Sequence, residues 1–184
     1  MNLCIFGGTF DPPHICHSLA CLYALETRKI EKILVIPCFR HPLGKETTPF
    51  QHRLVMSRLA MECLSPKVEV SDMESLRKGP SYTLDTLKIL RTERPGDNLS
   101  FLIGSDILAE ANRWKHFEEI KKIAEIIILP RLKPGKIPGE PEEMFAFPDI
   151  SSTEIRNRIK MGKEVSPFLS NKVLDYIKIH NLYK

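Results

Sequence analysis

The stretch LCIFGGTFDPPHICH, residues 3–17, combines a short apolar run, two adjacent glycines and two histidines three positions apart. The apolar run predicts a buried strand that stops at Gly7 and Gly8. Glycines at a strand end let a ligand approach main-chain N–H groups closely. His14 and His17 open the helical segment that follows, where residues three apart share one face. This stretch therefore predicts a strand, a tight turn and a helix that together could receive a ligand.

The alternation of strands and helices continues along the chain. Strands are predicted at KILVIP, KVEVSD, LSFLIG and AEIIILP, and of these KILVIP and LSFLIG are predicted to be buried. Helices are predicted between them, at 18–27, 49–64, 81–91 and 114–122. This order predicts an α/β fold with a doubly wound, Rossmann-like parallel sheet and helices on both faces. In such sheets ligands bind at the carboxyl ends of the strands, near the point where the strand order reverses.

The segment after the last strand changes character. Residues 130–148 hold five prolines and two glycines, which predicts a loop with one short strand at MFAF. Ser151 and Glu154 then match the S-x-x-E pattern of a helix start, and Gly162 lies where a helix end is expected. A last helix is predicted at 171–180. The chain should therefore finish in a small helical part.

Composition limits the class of protein. The chain has 184 residues, of which 42% are hydrophobic, enough for one compact domain with a sizeable core. The formal net charge of +4 comes from scattered Lys and Arg residues. A modest basic excess suits small anionic ligands at least as well as nucleic acid.

No targeting or membrane segment is predicted. The apolar run at 3–6 is too short for a signal peptide, and no run approaches the roughly 18 residues of a membrane span. The five cysteines show no C-x-x-C spacing, which favours reduced thiols. We expect a cytoplasmic protein without membrane contact.

Two common phosphate-binding motifs do not fit. A dinucleotide fingerprint needs G-x-G-x-x-G, whereas Gly7 and Gly8 are adjacent. A P-loop that ends at Gly44 and Lys45 would need glycine at the position of Phe39.

The pair formed by His14 and His17 leaves three interpretations. Two imidazoles on one helix face, beside the positive end of the helix, can donate to an oxyanion such as phosphate. They could instead be surface histidines without a role. A zinc site with Cys16 is the third interpretation, although no third ligand has convincing spacing.

Five segments together carry a family resemblance. GGTFDPPHICH resembles the G-x-F-D-P-x-H-x-G-H signature of nucleotidyltransferases, and ISSTEIRNRI (150–159) and YIKIHNLY near the end also match in order. KGPSYTLDTL (78–87) and IGSD (103–106), the latter followed by Trp114, narrow the match. Over nearly its whole length the chain resembles the bacterial nicotinate mononucleotide adenylyltransferases. That resemblance implies a single nucleotidyltransferase domain over 1–184, with a Rossmann-like core at 1–148 and a helical subdomain at 149–184.

The resemblance also implies an activity and its site. The family joins AMP from ATP to nicotinate mononucleotide, giving deamido-NAD and pyrophosphate in NAD biosynthesis. The implied catalytic residues are His14, His17 and Arg156. The implied ATP-binding residues are Gly7, Gly8, Thr9, Phe10, His14, His17, Gly104, Asp106, Ser151, Ser152 and Arg156. The implied mononucleotide-binding residues are Lys45, Tyr82, Thr83 and Trp114.

Cofactor and partners follow from the same resemblance. Mg²⁺ is expected to accompany the ATP triphosphate and to keep several waters, without a dedicated protein metal site. The expected partners are ATP and nicotinate mononucleotide, with no nucleic acid and no membrane; a homo-oligomer is left open.

The chain departs from the family pattern at three places. Cys16 stands where the family has glycine, and its side chain is expected to intrude on the nucleotide. The loop CFRHPLGKE replaces a P-P-H-K stretch, and PRLKPG makes the role of Arg131 uncertain. Two alternatives therefore stay open: a sibling enzyme with another acceptor, such as nicotinamide mononucleotide or a pantetheine phosphate, and a non-catalytic nucleotide-binding protein.

Overall fold

A computed structural model describes residues 1–77, 79–105, 116–129, 148 and 150–184. Several predictions lie outside these residues: the loop over 130–147 with its strand at MFAF, the start of the helix expected at 114, and the side chains of Asp106, Trp114 and Arg131. No helix in the described part of the chain is long and apolar enough to cross a membrane.

Five parallel strands form one sheet. They are β1 (Asn2–Gly8), β2 (Lys32–Pro37), β3 (Val68–Val70), β4 (Asn98–Gly104) and β5 (Glu125–Leu129). The described strands lie in the order β3-β2-β1-β4-β5. β2 and β3 thus lie in succession on one side of β1, and β4 and β5 lie in succession on its other side. This confirms the doubly wound parallel sheet and puts its switch point between β1 and β4.

Helices cover both faces of the sheet, as predicted. They are α1 (Ile15–Thr27), α2 (Phe50–Met61), α3 (Thr83–Glu93) and α4 (Phe117–Ile123). In β1, Cys4 and Phe6 pack with α1 and α2, whereas Leu3 and Ile5 pack with α3 and α4. This alternation follows from the two-residue period of a strand, and both faces are apolar because both are covered.

Two further helices, α5 (Ser152–Lys160) and α6 (Asn171–Ile179), pack on α2 rather than on the sheet. They build a third apolar cluster, in which Ile155 and Val173 meet Met56 of α2. Ser151 begins α5 as predicted, because its side chain accepts a hydrogen bond from the Glu154 N–H at 3.1 Å. Gly162 follows the end of α5 with a φ of +64°, a left-handed conformation that glycine adopts without strain.

Helix boundaries differ from the sequence prediction at three points. α1 begins at Ile15, directly after His14, and not at residue 18. α2 begins after Pro49 and ends at Met61, where a short 3-10 turn replaces its predicted last turn. α3 begins at Thr83 because residue 82 is extended, so the two residues before it belong to the loop.

The strand ends meet at one edge of the sheet. Gly8 lies opposite Pro37, and Gly104 lies opposite Leu129. The pairing of β1 with β4 ends at Ile5 and Phe101, so these two strands are no longer paired over their last residues. The loop after β1 therefore starts at the switch point, where ligands bind in this class of sheet.

Candidate active site

The histidine pair opens α1 in a reciprocal arrangement. The His17 N–H donates to the His14 carbonyl at 2.8 Å, and the His14 N–H donates to His17 Nδ1 at 3.0 Å. Because Nδ1 of His17 accepts a hydrogen bond, its ring proton lies on Nε2. His17 therefore presents an N–H donor, and its ring is half-buried. The His14 side chain is only 3% exposed, which leaves His17 as the more accessible of the two.

Residues 9–14 begin in an aromatic cluster, and we call them the phosphate turn after the role that the sequence resemblance implies. The Phe10 ring lies edge-on to Phe6 at 5.4 Å and to His17 at 4.9 Å between ring centres. A Cβ on Gly8 would lie 2.9 Å from Phe10 Cζ, so only glycine fits beside this ring. Phe10 has a φ of +51°, which is costly for a non-glycine residue and persists because packing holds the ring.

The next residue of the phosphate turn, Asp11, gathers contacts from three other parts of the chain. Tyr183 Oη donates to Asp11 Oδ1 at 2.6 Å, and the Thr48 N–H donates to Oδ2 at 3.1 Å. Arg156 Nη1 donates to the Asp11 carbonyl at 2.7 Å. These contacts satisfy a buried carboxylate and fix the backbone three residues before His14.

A buried arginine holds the start of the turn. Arg53 of α2 is 1% exposed and donates through Nη1 to the Thr9 carbonyl and through Nε to the Thr48 carbonyl, each at 2.8 Å. Burial lowers the pKa of the Arg53 guanidinium, and the nearby Asp11 carboxylate opposes that shift. A buried cation of this kind is stable only when it is paired and hydrogen-bonded. Arg53 therefore connects α2 both to Thr9, at the start of the phosphate turn, and to Thr48, just before α2.

The start of α5 lies on the same turn. The Ser152 hydroxyl donates to the Pro12 carbonyl at 2.9 Å, beside the Arg156 contact to Asp11. Arg156 Nη2 also donates to Thr153 Oγ1 at 3.2 Å, so described residues occupy two of the five N–H donors of its guanidinium. The structure thus brings Ser152 and Arg156 to the turn that leads into His14 and His17. Ser151 lies at the helix start itself.

Cys16, where the resemblance expects glycine, is buried in the first turn of α1. Its Sγ lies 3.8 Å from the Pro148 carbonyl oxygen, a contact that links α1 to the segment before α5. Among the described residues, no group of three His, Cys, Asp or Glu side chains is arranged to hold a metal ion.

The loop at 38–48 follows β2, the neighbour of β1 in the sheet, and we call it the acceptor loop after the role that the sequence resemblance implies. It is fixed at its first residues. The Phe39 N–H lies 3.1 Å from Ser81 Oγ and 3.3 Å from Glu74 Oε2, and both oxygens accept from it. Ser81 Oγ also accepts from the Arg40 N–H at 3.2 Å. The buried Glu74 further accepts from the Thr86 hydroxyl at 2.9 Å. A polar network under α3 therefore sets the direction in which the acceptor loop leaves β2.

The middle of the acceptor loop is open. Leu43 is 88% exposed, and Lys45 is exposed beside it. Burial lowers the pKa of His41, and the positive charges of Lys45 and Arg53 add to that effect. Lys45 and Arg53 thus both place positive charge near His41 in the acceptor loop.

Tyr82 and Thr83 begin α3 near that loop. Tyr82 is extended and 39% exposed, and Thr83 is the first helical residue, where main-chain N–H groups are not paired within the helix. The loop leading to them is joined to the acceptor loop, because the Ser81 N–H donates to the Arg40 carbonyl at 2.9 Å.

The remaining predicted residues divide into two groups. Gly7, Gly8 and Gly104 lie at the ends of β1 and β4 as expected, and Thr9 and Phe10 follow in the phosphate turn. Asp106 and Trp114 lie outside the described residues.

Sequence reasoning assigned no role to five residues that shape the site: Asp11, Arg53, Glu74, Ser81 and Tyr183. Asp11, Ser81 and Tyr183 lie within the motifs that carry the family resemblance, and this position is a sequence signal for them. In a sequence, a buried arginine on a helix cannot be distinguished from an ordinary surface arginine, because most arginines are exposed. The burial of Arg53 therefore could not be predicted.

Comparison with known proteins agrees with this geometry. The sequence profile of the cytidylyltransferase-like family matches residues 5–158, which include most of β1, all of β2 to β5, the phosphate turn and most of α5. The fold and the arrangement at the switch point are thus those of a cytidylyltransferase-like domain.

Curated relatives narrow the assignment. A probable nicotinate-nucleotide adenylyltransferase from Anaeromyxobacter dehalogenans is 36% identical, over 100% of this chain and 97% of the relative. One from Clostridium botulinum is 37% identical over the full length of both chains. The chain belongs to the cytidylyltransferase-like family, in its branch of nicotinate-nucleotide adenylyltransferases. This confirms the resemblance inferred from the sequence.

A solved structure supports the fold alone. The Plasmodium falciparum nicotinic acid mononucleotide adenylyltransferase, complexed with NaAD, superposes with a TM-score of 0.84 at 24% identity. The match covers 99% of this chain and 97% of that one. The five-stranded sheet and the two C-terminal helices, α5 and α6, therefore fall within the shared architecture.

Proposed function

We propose that this chain transfers the adenylyl group of ATP to nicotinate mononucleotide, releasing pyrophosphate and forming the deamido dinucleotide of NAD biosynthesis. One observation carries the proposal: α5 docks, through Ser152 and Arg156, on the turn that leads into the histidine pair. Donors from the first and the last parts of the sequence thus surround one edge of the sheet. Such a concentration of donors suits a polyphosphate.

The phosphate side would be formed by His17, Arg156 and the main-chain N–H groups at the start of α5. His17 offers a proton on Nε2 because its Nδ1 accepts from the His14 N–H. Arg156 uses only two of its five N–H donors on residues that the structure describes, Asp11 and Thr153, so further donors would be available to a phosphate. In this assignment His14 acts mainly through its backbone, and the Ser152 hydroxyl positions the turn rather than the phosphate.

The acceptor side would lie between the acceptor loop and the start of α3. Tyr82 offers an exposed aromatic ring for a planar pyridine, and Thr83 offers a hydroxyl and an N–H to a carboxylate. Lys45 lies in the exposed part of the loop, where it can reach an anionic mononucleotide. Trp114 completes this assignment on the strength of the sequence resemblance, which gives Asp106 to the ATP side.

The reaction asks little covalent chemistry of the protein. A phosphate oxygen of the mononucleotide attacks the α-phosphorus of ATP, a P–O bond forms, and the bond to the pyrophosphate oxygen breaks. Catalysis is then positioning plus stabilisation of charge on the transferring group and on the departing pyrophosphate. The donors on His17 and Arg156 are suited to that task.

Magnesium would arrive with the triphosphate as part of the substrate. Both carboxylate oxygens of Asp11, the acidic residue of the phosphate turn, already accept hydrogen bonds from Tyr183 and Thr48. Because these oxygens are already engaged, the phosphate turn favours Mg²⁺ that is held by phosphate oxygens and water rather than by the protein.

Product analysis tests the proposal. The purified chain is incubated with ATP, Mg²⁺ and, in separate reactions, nicotinate mononucleotide, nicotinamide mononucleotide and a pantetheine phosphate. We expect the deamido dinucleotide and pyrophosphate in equal amounts, with nicotinate mononucleotide as the preferred acceptor. Preference for another acceptor would identify a sibling enzyme, and the lack of any pyrophosphate release would favour a non-catalytic nucleotide-binding protein.

A further inference from the structure

The C-terminal motif YIKIHNLY has no part in the proposed chemistry, yet its last tyrosine reaches the phosphate turn. α6 ends at Ile179, and the chain then reverses: Asn181 and Tyr183 both have left-handed φ angles, of +51° and +64°. The Leu182 N–H donates back to the Ile177 carbonyl at 3.1 Å. This reversal directs Tyr183 toward residue 11, which lies 172 positions earlier in the chain.

The contact that results is short and joins a phenol to a carboxylate. Tyr183 Oη donates to Asp11 Oδ1 at 2.6 Å, in the range of charge-assisted hydrogen bonds. Burial and the neighbouring carboxylate raise the pKa of Tyr183, so the phenol stays protonated and remains a donor.

Asp11 passes this constraint to the site. Its second carboxylate oxygen accepts from Thr48 at the end of the acceptor loop, and its carbonyl accepts from Arg156. A shift of the Asp11 side chain would therefore move the turn that leads into His14. It would also move the carbonyl to which Arg156 of α5 donates. Misplacing catalytic groups by about 1 Å can cost on the order of a hundred-fold in rate.

We infer that Tyr183 is a positioning residue for adenylyl transfer, which holds Asp11, and with it the phosphate turn, in the geometry that the triphosphate requires. This inference rests on the proposed function. Tyr183 touches no reacting atom in this account and acts through Asp11. The C-terminal motif is thus part of the phosphate site, although it lies at the far end of the sequence.

Tyr176 provides a matched control. It lies on α6, and its hydroxyl is 3.0 Å from His52 Nδ1 of α2, so Tyr176→Phe also removes one hydroxyl contact between α6 and α2. Tyr176 has no contact with the phosphate turn among the described residues. A merely structural role for Tyr183 would make the two phenylalanine variants behave alike.

The experiment compares wild type, Tyr183→Phe and Tyr176→Phe at a temperature at which melting curves show all three to be folded. The measurements are kcat, the KM for each substrate, and ATP affinity by calorimetry without acceptor. For Tyr183→Phe we expect kcat/KM for ATP to fall about ten-fold, with the KM for nicotinate mononucleotide changed less than about two-fold. Tyr176→Phe should keep wild-type kinetics. Equal kinetics in the two variants would overturn the inference.

Asp11→Asn gives a second, independent arm. The amide keeps the shape of the side chain but carries no charge. When its oxygen accepts from the Thr48 N–H, its NH₂ group faces the Tyr183 hydroxyl, which must then accept rather than donate. The charge-assisted bond is replaced by a weaker one, so a loss in kcat/KM for ATP in the same direction is expected. Wild-type kinetics in Asp11→Asn would contradict the inference. If wild type itself forms no dinucleotide, the proposed function fails, and calorimetry still decides the positioning role: weaker ATP binding in Tyr183→Phe than in Tyr176→Phe supports it, and equal binding refutes it.

Discussion

The phosphate turn and the acceptor loop leave neighbouring strands at the same edge of the sheet, but they are held very differently. The phosphate turn is contacted by side chains from α2, from α5 and from the C-terminal end. The acceptor loop is fixed at Phe39 and Arg40 and again at Thr48, while the residues between them are largely exposed.

The difference indicates a division of labour. A phosphate group presents the same oxygens in every nucleotide, and a preorganised set of donors recognises it without rearrangement. The acceptor is the part of the substrate pair that distinguishes sibling enzymes, and it would meet a loop with few internal contacts. We therefore expect substitutions in the phosphate turn to affect catalysis with ATP, and substitutions around the acceptor loop to affect the acceptor alone.

The largest effect is expected for His17→Ala. It removes the Nε2 donor and the acceptor of the His14 N–H, so kcat should fall by about 10² to 10³-fold, the range for loss of one preorganised donor. Steady-state rates with saturating substrates measure this. A kcat within a few-fold of wild type would contradict a phosphate-side role for the pair.

Arg156→Lys should have the next largest effect. Lysine carries the charge but lacks the fork that contacts Asp11 and Thr153 together, so kcat/KM for ATP should fall by about ten-fold or more. Arg158→Lys is the matched control on the same helix, because Arg158 pairs with Glu154 at 2.8 Å and does not reach the turn. Similar losses in both variants would show that Arg156 acts only through helix stability.

A smaller effect, confined to the acceptor, is expected for Ser81→Ala. The substitution removes the oxygen that accepts from the Phe39 and Arg40 N–H groups, worth about 1 kcal/mol or about a five-fold rise in the KM for nicotinate mononucleotide.

The control is Ser75→Ala, which removes a half-buried hydroxyl that donates to the Asp72 carbonyl and makes no contact with the acceptor loop among the described residues. It should leave both KM values unchanged. An equal change in the KM for ATP in Ser81→Ala would break the division between the two regions.

The smallest effect is expected for Cys16→Gly. Removal of the thiol should tighten ATP binding by less than about ten-fold if the side chain narrows the nucleotide site, while glycine costs the helix roughly 0.5–1 kcal/mol. Calorimetric titration with ATP and a melting curve separate the two effects. Unchanged or weaker binding would show that Cys16 is harmless and that its contact with Pro148 is structural.

The sequence was most informative where local patterns determine structure. Apolar runs predict four of the five described strands, because covered parallel strands are apolar on both faces. The remaining strand, β3, alternates valine with the exposed Glu69. The S-x-x-E pattern predicted the start of α5 at Ser151, since capping depends on residues three apart. The pairing of α5 with the phosphate turn followed only from the family resemblance.

Contacts between distant residues could not be predicted in this way. Arg53 and Glu74 are charged residues whose burial depends on carbonyls and N–H groups brought in by other loops. The start of α3 was placed two residues too early, because Ser81 is used by the acceptor loop. Tyr183 lies 172 positions after Asp11 in the chain, so their contact depends on the complete fold and has no local sequence pattern.

The most direct test of the account is a crystal structure of the protein with Mg²⁺ and a non-hydrolysable ATP analogue. The account predicts phosphate oxygens within hydrogen-bonding distance of both His17 Nε2 and the Arg156 guanidinium, with the phosphate turn unmoved. A triphosphate that contacts only one of these side chains, or that binds away from the end of β1, would contradict it.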